Sequence, residues 1–134
     1  MKADLRILAV EDETAVAQFL ALILCGPHCK VVTARDGRDA LEKIEANPQP
    51  FDIVITDHRM PRMCGLEMVR ELRARNFEGK IAVLSAHLDE PTVQGYEEQK
   101  VDVMISKPFD IDQLRQAIAA LAEQIPAYAT RAVA

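Results

Sequence analysis

Four apolar runs along this chain end on residues with a chemical use, and the stretches between them carry apolar positions at helical spacing. Ile7-Leu8-Ala9-Val10 stops at Glu11 and Asp12, and the run from Phe51 to Thr56 delivers Asp57 at its last step. Ile81-Ala82-Val83-Leu84 stops at Ser85, and Val101 to Ile105 stops just before Ser106 and Lys107. Short apolar runs of this kind, bounded by turn signals, predict buried strands. Lys30 to Ala34 supplies another, second in chain order. Between strands, Val16, Phe19, Leu20 and Ile23 fall at i, i+3, i+4 and i+7, predicting a first helix closed by Gly26-Pro27. Asp36 before Gly37 predicts the cap of a second helix carrying Ala40, Leu41 and Ile44 and stopping at Asn47-Pro48. Gly65 opens a third, with Leu66, Val69 and Leu72 as its inner face. Asp89-Glu90-Pro91 predicts a fourth, whose polar stretch Gln94 to Gln99 implies that it is largely exposed. Asp110, with Gln113 three later, caps a fifth whose stripe of Ile111, Leu114, Ile118, Leu121 and Ile125 lasts until Pro126.

Strands alternating with helices five times predict an α/β domain with a doubly wound parallel sheet and helices on both faces. In such a sheet ligands bind beyond the carboxyl ends of the strands, and it is there that the acids, Ser85 and Lys107 would converge. Taken singly, each has a plainer reading: Asp57 as a turn residue, Glu11 and Asp12 as a helix start, Ser85 as a loop residue, Lys107 as a solvated charge. Together, at the ends of the right strands, they form one set.

The 134 residues and 49% hydrophobic content suit one domain with a core of its own. Twenty-one acids against 16 bases give a net charge of -5, which argues against a nucleic-acid partner. No apolar stretch approaches a membrane span, and the expected location is cytoplasmic. Cys25, Cys29 and Cys64 are an odd number without framework spacing, as reduced thiols would be. The loop Cys25 to Cys29, with His28, offers three ligands and no fourth, so it reads as a helix-ending loop rather than a zinc site. No repeat or linker is evident. Residues 125–134 read as a short tail without an output domain, which leaves surface binding as the route of output.

Glu11, Asp12 and Asp57 would repel one another unless a cation sits among them. Magnesium suits such a crevice, because it takes one or two carboxylates, keeps waters and accepts phosphate oxygens. Asp57 is then a candidate nucleophile toward phosphorus, with Lys107 supplying positive charge and Ser85 a hydroxyl donor to the transferred group.

These motifs, ILAVEDE at 7–13, IVITDHRMPRMCG at 53–65, AVLSAH at 82–87 and SKPF at 106–109, resemble the receiver domain of two-component response regulators, of the single-domain, chemotaxis-regulator-like kind. The resemblance covers residues 4–124. It implies the flavodoxin-like strand order 2-1-3-4-5, an order known for that fold and not worked out from the residues. It further implies that Asp57 accepts a phosphoryl group from a sensor histidine kinase or histidine phosphotransfer protein. Asp12, Asp57 and the backbone carbonyl of Arg59 would hold Mg2+, with Glu11 acting through metal-bound water. Ser85 and Lys107 carry over as phosphoryl ligands, and Lys107-Pro108 as a cis bond. The readout would be the face of helix four, strand five and helix five, with a phosphorylation-dependent homodimer as one form of output.

Several residues depart from the family pattern. Met104 stands where Tyr or Phe is usual, so an aromatic switch paired with Ser85 gives way to repacking of a flexible thioether. Glu11 replaces the commoner Asp, Cys64 stands beside the loop glycine, and Lys100-Val101 replaces a small pair. Arg59 and His87 flank the site and could set phosphoryl lifetime. Met104 also keeps open a phosphorylation-independent, receiver-like interaction module, and the chain could be a receiver excised from a larger regulator or hybrid kinase. A haloacid dehalogenase-like phosphatase would need a second aspartate two residues after Asp57, where Arg59 stands.

Overall fold

Alternation of side chains along the strands divides the interior into two apolar layers. On one side of the sheet Ile7, Ala9, Ile53, Ile55 and Leu84 pack with Leu20, Ile23, Leu114 and Ile118. On the other, Leu8, Val10, Val54, Ile81 and Val83 pack with Leu41, Met68, Leu72 and Tyr96. Strands buried on both faces are uniformly apolar, as parallel sheets covered by helices require.

This is a computed structural model that describes residues 5–24, 28–47 and 50–125. Its strands are β1 (Leu5–Val10), β2 (Cys29–Ala34), β3 (Ile53–Asp57), β4 (Lys80–Ser85) and β5 (Val103–Ser106), alternating with α1 (Thr14–Leu24), α2 (Gly37–Ala46), α3 (Gly65–Ala74), α4 (Glu90–Glu98) and α5 (Ile111–Glu123). The strands form one sheet in the expected order, β2-β1-β3-β4-β5. All pairings are parallel, with Val10 beside Thr56, Asp57 beside Leu84 and Ser85 beside Ser106. That register brings the carboxyl ends to a common rim. Helices α1 and α5 cover one face, and α2, α3 and α4 the other.

The caps follow the sequence. Carboxylates of Asp36, Asp89 and Asp110 accept from the backbone N–H three residues on, at 2.8, 2.9 and 2.6 Å. The expected stops at Gly26-Pro27, Pro48 and Pro126, the thiol of Cys25 and the tail from 126 lie outside the described residues. Cys29 begins β2 and Cys64 precedes α3, both half-buried.

Three expectations need correction. Strand five starts at Val103, not Val101, because Lys100 adopts a left-handed turn (φ 58°) and Val101 N–H returns to the Tyr96 carbonyl at the end of α4. Asp102 then bonds Ile81 through backbone and carboxylate, and pairing begins one residue later. Helix α4 is largely exposed, as expected, apart from Gly95 and Tyr96, which are buried, Tyr96 with no accessible surface. In α1 the inward face is Ala17, Leu20, Ile23 and Leu24, which leaves Phe19, about 100° round from Leu20, 46% exposed. In α3 and α5, Met68 is buried while Leu66 is only half-buried and Ile111 is exposed.

Candidate functional site

Strands β1, β3, β4 and β5 bring residues at or just beyond their carboxyl ends to the rim. Glu11 follows β1 and is almost wholly buried, its N–H bonded to the Ala34 carbonyl and its carboxylate to Glu13 N–H at 3.2 Å. Asp12 is exposed, and Asp57, the last residue of β3, is half-buried. Ligand oxygens of Glu11, Asp12 and Asp57 all lie within 4.8 Å of one another. Lys107 reaches over from the end of β5, with Nζ 3.1 Å from Asp57 Oδ1 and 3.8 Å from Glu11 Oε1. Its backbone N–H donates to the Ser85 carbonyl at 2.7 Å, which ties the lysine to the end of β4. The Lys107-Pro108 peptide is cis.

The structure therefore brings Glu11, Asp12, Asp57, Ser85 and Lys107 to one place, along with exposed Arg59. A crevice of about 310 Å3 is lined by Asp12, Asp57, His58, Arg59, Ser85, His87 and Lys107 among others. Met104, 36% exposed, stands outside it and lines a neighbouring crevice of about 300 Å3 with Ser85, Leu88 and Val93.

Electrostatics at the rim are unfavourable without a cation. Burial pushes Glu11 up to about 7, and the neighbouring Asp12 and Asp57 add to it against the Glu13 hydrogen bond and Lys107. Packed carboxylates, one of them driven toward its neutral form, are a donor set that a divalent cation would relieve, so these residues fit Mg2+.

Two constellations beside the crevice escape the sequence reading. His58, next to the acceptor, donates its N–H to Asp57 Oδ1 at 3.0 Å, and its Nδ1 shares a 2.5 Å hydrogen bond with the Tyr96 hydroxyl. The rings meet edge-on at 75° with centroids 5.6 Å apart. Burial holds His58 below the usual histidine range and pushes the Tyr96 phenol up, so both are neutral near pH 7. The second is buried Asp36, whose carboxylate takes a fork from Arg62 Nε and Nη2, the Nε contact at 2.8 Å. Arg62 sits at φ 68°, so the fork anchors a left-handed step of the β3–α3 loop onto α2. Burial alone would raise Asp36, but the Asp39 N–H and Arg62 outweigh it and hold the carboxyl below the ordinary range. Tyr96 was the one available signal, a lone aromatic in a polar helix.

Sheet order and rim chemistry define the class, a flavodoxin-like α/β domain with an acidic crevice closed by a lysine. The family model for the response regulator receiver domain matches residues 7–119, and the chain belongs to that family of two-component signalling domains. A receiver is a signalling domain rather than a classical enzyme. Among curated relatives, the response regulator ArlR of Staphylococcus aureus is 35% identical over 121 residues, covering 90% of this chain and 54% of that protein. The chain thus spans about half the length of the curated relatives it matches. Among solved structures, the chemotaxis protein CheY4 of Vibrio cholerae is 28% identical with a TM-score of 0.80, covering 89% of this chain and 99% of that one. The response regulator TrrA of Thermotoga maritima, solved in complex with Mg2+ and BeF, is 30% identical with a TM-score of 0.74, over 87% of this chain and 97% of that one. No helix among the described residues is long and apolar enough to cross a membrane.

Proposed function

We propose that Asp57 accepts a phosphoryl group from a sensor histidine kinase or histidine phosphotransfer protein, and that phosphorylation switches a protein–protein interaction. The observation that carries this reading is the approach of Lys107 Nζ to within 3.1 Å of an Asp57 oxygen inside a three-carboxylate cluster. Asp57 Oδ1 is held by Lys107 Nζ and His58 N–H, which directs the nucleophilic role to its other oxygen. That oxygen bonds to phosphorus as the donor's phosphorus–nitrogen bond breaks and the imidazole leaves with the electron pair. Lys107 neutralises charge on the transferred oxygens, and the buried Ser85 donates its hydroxyl to one of them.

Asp12, Asp57 and the Arg59 carbonyl would hold Mg2+, with Glu11 bonded to its water; that TrrA was solved in complex with Mg2+ and BeF supports Mg2+ as the ion. When bound, the ion supplies further positive charge at the phosphoryl oxygens. Arg59 and His87 line the crevice and flank the approach of water, which suits a role in phosphoryl lifetime. Ser85 and Met104 border a shared crevice, so inward movement of the hydroxyl would let the thioether repack, and α4, β5 and α5 would present the change to a downstream protein or a second copy. The receiver unit would span residues 4–124, in the cytoplasm.

Intact mass after incubation with Mg2+ and acetyl phosphate tests the reading. A single phosphoryl adduct that is lost in Asp57→Asn supports it; an adduct retained in that variant removes Asp57 from the role. No adduct, with beryllofluoride also failing to bind, favours the phosphorylation-independent module, and turnover of an external phosphomonoester revives the phosphatase.

A further inference from the structure

The residue after Asp57 is bonded in two directions. Its backbone faces the acceptor: His58 N–H lies 3.0 Å from Asp57 Oδ1 and 3.2 Å from the Leu84 carbonyl, and its own carbonyl takes Gly65 N–H at 2.8 Å. Its side chain faces α4, through the 2.5 Å bond to the Tyr96 hydroxyl. Tyr96 is completely buried, and its hydroxyl occupies space that only a glycine leaves open. A Cβ on Gly65 would come within 2.6 Å of that oxygen and 2.7 Å of the Asp57 carbonyl. The Tyr96 hydroxyl is buried and its partner His58 half-buried, so removing the imidazole strands the hydroxyl away from water.

A second polar anchor lies just beyond Tyr96, at the same C-terminal end of α4. Arg73 on α3 binds the carbonyls of Gln99 and Lys100, at 2.9 and 3.0 Å, just after the helix ends. Displacement at Tyr96 would therefore act within about one turn of that attachment, at the C-terminal end of α4. Met104 on β5 carries no hydroxyl and lies 36% exposed, so it offers no comparable polar path from the site.

We propose that the His58–Tyr96 hydrogen bond couples the phosphorylation state of Asp57 to the placement of α4, with Tyr96 as a positioning residue. The inference rests on the phosphoacceptor reading of Asp57. A phosphoryl group adds about 1.5 to 2 negative charges beside the His58 N–H and competes for the donors now held by the Asp57 carboxylate. The His58 peptide adjusts, its ring moves with it, and Tyr96 carries the adjustment into the helix.

Hydrogen exchange over residues 90–99 of the full chain, with and without Mg2+ and acetyl phosphate, reads this coupling, with adduct mass followed in the same samples. In the wild type, phosphorylation changes exchange in this segment by about fivefold, the size that one net hydrogen bond sustains. In Tyr96→Phe, which keeps the ring and removes the hydroxyl, the adduct still forms but the response falls below about twofold. In the labelled fraction of His58→Leu the response is lost as well, whereas labelled His58→Asn, whose amide stands where Nδ1 was, keeps it. A purely structural role would lower stability in these variants and leave the response intact. An undiminished response in Tyr96→Phe, or a labelled wild type whose α4 exchange does not change, overturns the coupling and leaves the receiver reading standing. Absence of any adduct in the wild type overturns both. Should Tyr96→Phe fail to unfold cooperatively, the His58 pair decides by the same measure.

Discussion

Arg73→Met removes a guanidinium that serves four backbone carbonyls at once. Nε bonds Gln99, Nη1 bonds Phe77 and Gly79, and Nη2 bonds Lys100, over 2.8 to 3.1 Å. These carbonyls close the end of α4 and the turn from α3 into β4, where they have left their own helix or strand ladder. Methionine preserves most of the apolar stem, so the change isolates the charged fork. A hydrogen bond to a charged group contributes roughly 1.5–3 kcal/mol. Here the side chain is half-exposed and water can replace part of the loss, which reduces each bond to roughly 0.5–1 kcal/mol. The expected loss is therefore about 2–4 kcal/mol, or a Tm lower by roughly 8–16 °C for a domain of this size. Urea unfolding followed by far-ultraviolet circular dichroism measures it, provided the slope is unchanged. Arg73→Lys should recover less than half, since a single ammonium cannot span the four acceptors. A drop below about 2 °C in Arg73→Met, or full recovery with lysine, would refute the claim that the fork holds α4 to α3.

Low pH should weaken the loop anchor. Asp36 is depressed in the folded state, so its contribution is complete above the unfolded carboxylate pKa of about 4 and disappears as pH falls through the lower folded value. The stability difference between wild type and Asp36→Asn should accordingly be constant near pH 6 and shrink below pH about 4, and a difference that holds steady down to pH 2 contradicts the pairing. Mg2+ should raise the wild-type Tm, by about 2.7 kcal/mol equivalent at a hundredfold excess over Kd, and Asp12→Asn should lose most of that shift in differential scanning fluorimetry. An equal shift in the variant would remove Asp12 from the cation site.

The sheet and most of the site were legible because parallel strands buried on both faces are written as unbroken apolar runs, and each run stops where chemistry begins. Asp57, Ser85 and Lys107 needed only that positional rule. Failures came where local pattern and tertiary packing diverge. Val101 looks like strand but is claimed by the end of α4, through the left-handed Lys100. Phe19 satisfies a helical stripe yet falls on the flank, because small Ala17 sets the face that approaches the sheet. Tyr96 was hidden in a polar helix, and its partner His58 lies 38 positions away in sequence. Asp36 was recognised as a cap, but its second role appears only when Arg62 is brought to it from 26 residues on.

The two apolar layers have no side chains in common, since the sheet stands between them, and the carboxyl rim is where both come to an end. Asp57 touches each through a different neighbour: Lys107 leads directly into the segment before α5, and His58 reaches α4 on the opposite face. A single charge added at that rim thus addresses both sides of the molecule at once. Two proteins gripping opposite faces could then read the same chemical event without ever meeting, and changing the residues that serve one listener would leave the other's message intact.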